Sequence, residues 1–101
     1  MGTISFRSTL AKRLQDPEFK KEYDALQDEY NLIISLIDAR QEANLTQAQL
    51  AEKMGVKQSA VARIESGSLN LKYGTIVNYL KACGKRIVNF NVAPINTATA
   101  N

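Results

Sequence analysis

Apolar residues in the first third of the chain recur every three or four positions, which is the spacing of one face of an α-helix. Asp16 followed by Pro17 and Glu18 is a strong start signal for such a helix, and a shorter helix is predicted before it, from about Ser8 or Thr9. The start signal leads into a stripe of large side chains on one helix face: Phe19, Tyr23, Leu26 and Tyr30. This stripe either packs onto the following domain or binds a partner, and the pattern leaves both alternatives open.

The helical pattern continues from about residue 29 to residue 43. Its predicted buried positions are Leu32, Ile33, Leu36 and Ile37, with Asp38 and Glu42 facing outward. Further along, a last core helix uses Ile76, Val77 and Leu80 and ends at Gly84. These positions predict a helical domain with one core.

The periodicity changes after Gly84, because residues 86–92 alternate between two faces as in a β-strand. Val88, Phe90 and Val92 share one face, and Pro94 ends the pattern. A lone strand cannot satisfy its own backbone groups, so it needs an edge to pair with. The predicted edge is the same strand of a second copy, giving a two-fold dimer, or the sheet of a partner protein.

Residues 46–67, TQAQLAEKMGVKQSAVARIESG, carry the most specific pattern in the chain. Thr46 and Gln49 form a T-x-x-Q capping box that starts a helix, and Gly55 supplies the left-handed conformation that ends it. Ala51 is small where a second helix crosses the first. The apolar contacts of the two helices are assigned to Leu50, Met54, Val56, Val61 and Ile64. Together these features predict a helix, a tight turn and a second helix of the kind that enters the DNA major groove, the alternative being an ordinary helical hairpin.

This motif resembles the helix-turn-helix of the Cro/C1-type (XRE) repressor family, and the resemblance covers roughly residues 32–84. It implies that the start of the second helix faces base edges, which assigns base contacts to Lys57, Gln58, Ser59 and Arg63. A glutamine can pair bidentately with adenine and an arginine with guanine. The resemblance also implies contacts with the DNA backbone, and these fall on Thr46, Gln47, Asn70 and Lys72. For each of these eight positions the alternative is a solvated polar surface.

Arg40 and Glu65 resemble a charged pair of the same family that ties the helix before the motif to the end of the recognition helix. A bidentate contact between them would fix the angle of that helix and leave neither group free to read DNA, so we interpret the pair as structural. Lys72 and Gly74 depart from the family's pattern, which usually has a better cap and a helix former there. The sequence therefore leaves the start of the last helix undefined.

Charge is distributed unevenly along the 101 residues, whose net charge is +3. Residues 1–52 hold six basic and nine acidic side chains, a balance of −3, whereas residues 53–101 hold seven basic and one acidic, a balance of +6. A basic half is what neutralisation of DNA phosphates requires, and it predicts an affinity that falls steeply with salt. The acidic half is either a solvated helical surface or a surface for a different partner.

The single cysteine, Cys83, and the lack of histidine predict no internal disulfide, no zinc site and no cofactor. Cys83 is assigned to the core. Without histidine, and without acids paired near a nucleophile, no recognisable catalytic site assembles, so an enzyme is the weakest hypothesis. No apolar run is long enough to cross a bilayer and the N-terminus lacks the apolar stretch of a secretory signal, which predicts a cytoplasmic protein without a membrane partner.

The whole chain also resembles antitoxins of the host-inhibition-of-growth (HigA) type. The resemblance rests on an acidic D-P-E-F-x-x-E-Y helix that leads directly into the repressor domain, and on GKRIVNFNV after the last helix. It implies a HigB or RelE-like toxin partner that cleaves mRNA on the ribosome, and an antitoxin that silences this toxin while repressing their shared promoter. Such RNases carry basic active surfaces, which an acidic helix with apolar anchors could cover. The implied toxin contacts are Phe19, Tyr23, Leu26 and Tyr30.

The predicted fold is mainly α: a five-helix repressor-like helix-turn-helix domain with an N-terminal helical extension and a short C-terminal β-strand. The predicted segments are the extension over 1–28, the DNA-binding domain over 29–85, the strand and dimer contact over 86–93, and a disordered tail over 94–101. The predicted function is a homodimeric antitoxin that binds double-stranded operator DNA with an inverted repeat. A stand-alone XRE-family repressor without a toxin is the alternative.

Overall fold

The computed structural model describes residues 6–67 and 70–95, with side chains from Ser8 onward. Within these residues the chain forms six helices and no strand. The helices are α1 (Phe6–Arg13), α2 (Pro17–Ala25), α3 (Gln27–Glu42), α4 (Gln47–Met54), α5 (Gln58–Glu65) and α6 (Tyr73–Ala82). The predicted mainly helical fold is confirmed. None of the described helices is long and apolar enough to cross a membrane.

The start of α2 follows the prediction from sequence. Asp16 is its N-cap, with φ −81° and ψ 117°, and its side chain accepts a hydrogen bond of 3.0 Å from the Glu18 backbone N–H. Pro17 occupies the first helical turn, where its missing N–H has no partner to lose. α1 begins at Phe6, two to three residues earlier than predicted, and only Leu26 separates α2 from α3.

The large side chains of α2 and the start of α3 form an aromatic cluster inside the chain. The ring centroids of Tyr23 and Tyr30 lie 5.0 Å apart, and the Phe19 ring lies 6.3 and 6.4 Å from them. Phe19 is buried, and the Arg13 guanidinium sits 4.1 Å from its ring centroid. Tyr30 also reaches the end of the helix-turn-helix, because a Cβ placed on Gly67 would lie 3.7 Å from its Cε1. The stripe therefore packs within the single chain, with Tyr23, Leu26 and Tyr30 only half-buried.

The main core lies between α3, α4, α5 and α6. Its central side chains are Leu36, Leu50, Val61 and Tyr79, all at most 1% exposed, and Ala51 is buried beside them. Cys83 belongs to the same cluster, as predicted, and burial raises the pKa of its thiol. Fully buried Val, Leu and Ile side chains each contribute about 1.5–3 kcal/mol of transfer free energy, so this cluster supplies much of the drive to fold.

Two predicted core positions are wrong. Leu32 is 37% exposed although it shares a helix face with the buried Leu36 and Ala39, because it lies one turn before Leu36, nearer the start of α3. Val56 is 41% exposed because it sits in the turn between α4 and α5 rather than on either helix. The other assigned motif contacts are buried or half-buried: Leu50, Met54, Val61 and Ile64.

α4 begins and ends with the predicted caps. The Thr46 hydroxyl accepts from the Gln49 N–H at 3.0 Å while the Gln49 side chain accepts from the Thr46 N–H at 2.9 Å, which completes the capping box. Gly55 ends α4 with φ +72°, a left-handed conformation that strains other residues. The Val56 N–H then bonds to the Ala51 carbonyl at 3.0 Å, satisfying a carbonyl that the helix end leaves free.

α6 ends as predicted but starts without a side-chain cap. Lys72 is its N-cap and makes no capping hydrogen bond, in line with its departure from the family's pattern. Gly84 follows the helix at φ +77°, and the Lys85 N–H returns to the Leu80 carbonyl at 2.8 Å.

The segment that follows α6 lacks regular structure from residue 85 to residue 95. Val88, Phe90 and Val92 are 76%, 68% and 93% exposed, and the Phe90 ring lies 6.0 Å from that of Tyr73. A strand here needs an edge that the described part of this chain does not provide, so its pairing stays a prediction. The domain of α3–α6 has four helices among the described residues, whereas five were predicted. Of the predicted disordered tail over 94–101, residues 96–101 lie outside the described part.

Candidate nucleic-acid interface

α5 presents the predicted base-reading side chains to solvent. Lys57 is the N-cap residue, Gln58 and Ser59 occupy the first turn, and Arg63 follows a turn later. All four side chains are exposed, while Val61 and Ile64 of the same helix are buried. The helix thus has one face in the core and a polar, basic face outside it. That arrangement suits a helix that docks in a major groove.

Two recesses flank α5 and divide these side chains between them. Lys57, Ser59 and Arg63 line the first recess together with Thr75 and Asn78 of α6. Gln58 lines the second recess, on the side of Thr46 and Gln47 at the start of α4. The second recess therefore joins one predicted base reader to two predicted phosphate contacts.

The Glu65 carboxylate, 5% exposed at the end of α5, accepts four hydrogen bonds. Arg40 donates two of them, from Nε to Oε2 at 2.7 Å and from a terminal nitrogen to Oε1 at 3.0 Å. The Gln47 amide donates to Oε1 at 3.0 Å and the Tyr79 hydroxyl to Oε2 at 2.5 Å. A second Arg40 terminal nitrogen donates to the Leu45 carbonyl at 2.8 Å. One carboxylate therefore ties α5 to α3, α4 and α6.

The electrostatics of this network follow from burial and from the charge on Glu65. Burial, then the hydrogen bond to Glu65 and its charge, raise the pKa of the Tyr79 hydroxyl well above its ordinary value. Burial opposes the charged form of Arg40, but the hydrogen bond and charge of Glu65 outweigh it and raise the pKa of the guanidinium. Tyr79 thus stays a neutral donor and Arg40 a cation. A buried carboxylate is tolerated only with this kind of full pairing.

The predicted phosphate contacts occupy different surroundings. Thr46 is exposed, yet its hydroxyl oxygen and its backbone N–H already serve the capping box. Gln47 is half-buried and its side-chain amide is held by Glu65. Asn70 and Lys72 are exposed in the segment before α6. Of the four, Thr46 and Gln47 thus already use their polar groups in hydrogen bonds within the chain.

Sequence reasoning missed two members of the Glu65 network. Tyr79 shares an apolar face of α6 with Ile76 and Cys83, at spacings of three and four, so its burial could have been predicted from the pattern. The partners of the Tyr79 hydroxyl and the Gln47 amide could not, because residues far apart in sequence meet only in the folded chain.

Comparisons with known proteins agree with this geometry. A helix-turn-helix family model matches residues 36–90, which span α4, the turn and α5. An uncharacterised helix-turn-helix-type transcriptional regulator of Haemophilus influenzae is 36% identical over 69 residues, 68% of this chain and 67% of that protein. A protein of Mycobacterium tuberculosis named antitoxin HigA1 is 31% identical over 72 residues, 71% of this chain. No solved structure shows a significant match.

The fold and the exposed face of α5 define a DNA-binding domain of the helix-turn-helix class, a class that is typically non-enzymatic. The chain belongs to the XRE-type helix-turn-helix family. Its matched segment spans about half the length of the M. tuberculosis relative, 48%, and about two thirds of the H. influenzae regulator.

Proposed function

We propose that this protein represses transcription by binding operator DNA through α5. The observation that carries the proposal is that one face of α5 exposes four polar side chains: Lys57, Gln58, Ser59 and Arg63. The other face of this helix is buried, and the hydrogen bonds of Glu65 hold its end in place. Gln58 and Arg63 are suited to adenine and guanine edges, while Lys57 can reach a guanine or a phosphate. Asn70 and Lys72, exposed in the segment before α6, would hold the DNA backbone.

A dimer is the form in which such a domain would read an operator. Two copies related by a two-fold axis place their recognition helices in successive major grooves, about 34–36 Å apart, over an inverted repeat. The proposed dimer contact is the face of Val88, Phe90 and Val92, because its exposure in the single chain leaves apolar surface uncovered.

Titration of the chain with its own upstream DNA tests the repressor proposal. We expect tighter binding to that duplex than to a scrambled duplex of the same composition, with a footprint of two half-sites one helical turn apart. Equal affinity for the two duplexes at every salt concentration would contradict sequence-specific recognition.

We further propose that the protein is an antitoxin that binds a RelE-like mRNA-cleaving toxin of the HigB type. Two observations support this: the relative named antitoxin HigA1, and an acidic α2 that precedes the DNA-binding domain. Residues 16–42 hold eight acidic and three basic side chains, which favours a basic partner. The proposed contact surface is that of Phe19, Tyr23, Leu26 and Tyr30. Since Phe19 is buried in the single chain, the exposed acids of α2 and the half-buried tyrosines would meet the toxin first.

Co-expression with the adjacent reading frame tests the antitoxin proposal. We expect the neighbouring product to arrest growth alone, to be neutralised by this chain, and to co-purify with it. Exchange of Glu22 for lysine on α2 should weaken the complex, whereas the same charge reversal at Glu52 on α4 should not. A harmless neighbour that does not co-purify would instead favour the stand-alone repressor, which the Haemophilus regulator supports.

A further inference from the structure

α1 differs in charge from the rest of the N-terminal half. Residues 6–15 hold three basic side chains and no acidic one, whereas residues 16–42 have a balance of −5. The negative balance of the first half therefore belongs to α2 and α3. A basic helix would repel a basic partner protein, so the proposed toxin contact does not explain the positive charge of α1.

The fold brings α1 beside α5 and the start of α4, at the proposed DNA-binding face. Thr9 of α1 lines the same recess as Gln58 of α5 and Thr46 and Gln47 of α4. This recess contains one of the proposed base readers, so a side chain at its edge lies beside the DNA that α5 would read.

The orientation of α1 leaves a cation on the same side as Thr9. Leu10 and Leu14 are half-buried and α1 packs on α3, while Thr9 and Lys12 are exposed. Residues three apart lie on one face of a helix, so Lys12 follows Thr9 along the outer side of α1. The guanidinium of Arg13 is already placed over the Phe19 ring at 4.1 Å. Among the α1 side chains that the structure describes, Lys12 is an exposed cation three residues after Thr9, which lines the recess.

We propose that α1 is a second DNA-contacting element, in which Lys12 and Thr9 bind the phosphate backbone next to the segment that Gln58 reads. This inference rests on the proposed DNA binding and extends it to a helix outside the residues that the family model matches. Lysine suits this role as a point charge for phosphate, and threonine can donate its hydroxyl hydrogen to a phosphate oxygen. Because these contacts go to the backbone, they add affinity without adding sequence preference.

The test compares Lys12→Gln with the parent on operator and scrambled duplexes over a range of salt concentrations. Loss of one phosphate contact should lower the slope of log affinity against log salt by about 0.9 and weaken binding to both duplexes alike. Lys20→Gln is the matched control: Lys20 is an exposed lysine on α2, paired with Asp24 at 2.7 Å, and its removal should leave the slope unchanged. Thr9→Glu should weaken binding more than Lys12→Gln, because it sets a negative charge beside phosphate.

The outcomes separate this inference from the proposed function. If the parent prefers its operator and Lys12→Gln keeps the parent's slope, the role of α1 is refuted while DNA binding stands. Tighter binding by Lys12→Gln or Thr9→Glu would overturn it by showing that α1 obstructs the DNA. If the parent does not prefer its operator, the proposed function itself fails. Circular dichroism of each variant should match the parent, since both side chains are exposed.

Discussion

The Glu65 carboxylate sets the position of the recognition helix at the scale of single residues. Its four donors come from three other helices, and each of its oxygens accepts two hydrogen bonds. An isolated buried charge would cost several kcal/mol, so the network holds together only as a set. We infer that the angle of α5 depends on Tyr79 and Gln47 as well as on Arg40.

Alkaline pH should destabilise the protein through Tyr79. Its pKa is raised in the folded chain from an ordinary value of about 10, so the folded state keeps a proton that the unfolded chain loses above that pH. Stability from this group is complete below pH ~10 and falls by about 1.4 kcal/mol per pH unit above it. Tyr79→Phe should be less stable near neutrality and should show a shallower alkaline decline in urea unfolding. Parallel declines in the two proteins would contradict the raised pKa.

Single residues also show what the sequence could and could not predict. The pairing of Arg40 with Glu65 followed from the resemblance to the XRE family, and the structure places them in bidentate contact. Gln47 was assigned to phosphate, yet its amide binds Glu65. Sequence patterns report which positions face the core, whereas the partner of a polar side chain depends on how distant helices come together.

At the scale of elements, caps and turns determine where the helices begin and end. Asp16, Thr46, Gly55 and Gly84 each mark a terminus where the sequence predicted one. Such signals act within a few residues, so they could be read without knowing the tertiary structure. The strand over 86–92 differs because its hydrogen bonds require a partner that one chain does not carry.

Removal of the capping box should destabilise α4 and with it the motif. Thr46→Ala deletes the hydroxyl that accepts from the Gln49 N–H, a change that typically costs about 1 kcal/mol. Chemical denaturation would measure the loss, with Thr9→Ala, an exposed threonine within α1, as the control that should not destabilise. An unchanged midpoint for Thr46→Ala would show that the box contributes nothing to stability.

At the scale of the whole molecule, the acidic and basic surfaces belong to different proposed partners. Basic residues occur on α1, at Lys57 and Arg63 of the recognition helix and at Lys72 before α6, while the acids concentrate on α2 and α3. The sequence revealed the imbalance between the two halves of the chain. It did not reveal that α1 folds back beside the motif, because that depends on the packing of α1 against α3.

The proposed dimer should depend on the apolar face after α6. Phe90→Asp puts a charge on the face of Val88 and Val92, where a strand pair would bury it, so we expect a monomer in sedimentation. Asn89→Asp adds the same charge at a neighbouring position on the opposite face and should leave the dimer intact. A dimer that survives Phe90→Asp would place the interface elsewhere.

The most direct test of base reading by α5 compares the parent with Arg63→Ala. The quantity measured is the preference for the operator over a scrambled duplex, at one salt concentration. Removal of a bidentate base contact should reduce this preference by about 1–3 kcal/mol, whereas Lys81→Ala, which removes an exposed cation from the last turn of α6, should preserve it. If Arg63→Ala keeps the full preference of the parent, Arg63 does not read bases and the assignment of α5 as the reading helix is contradicted.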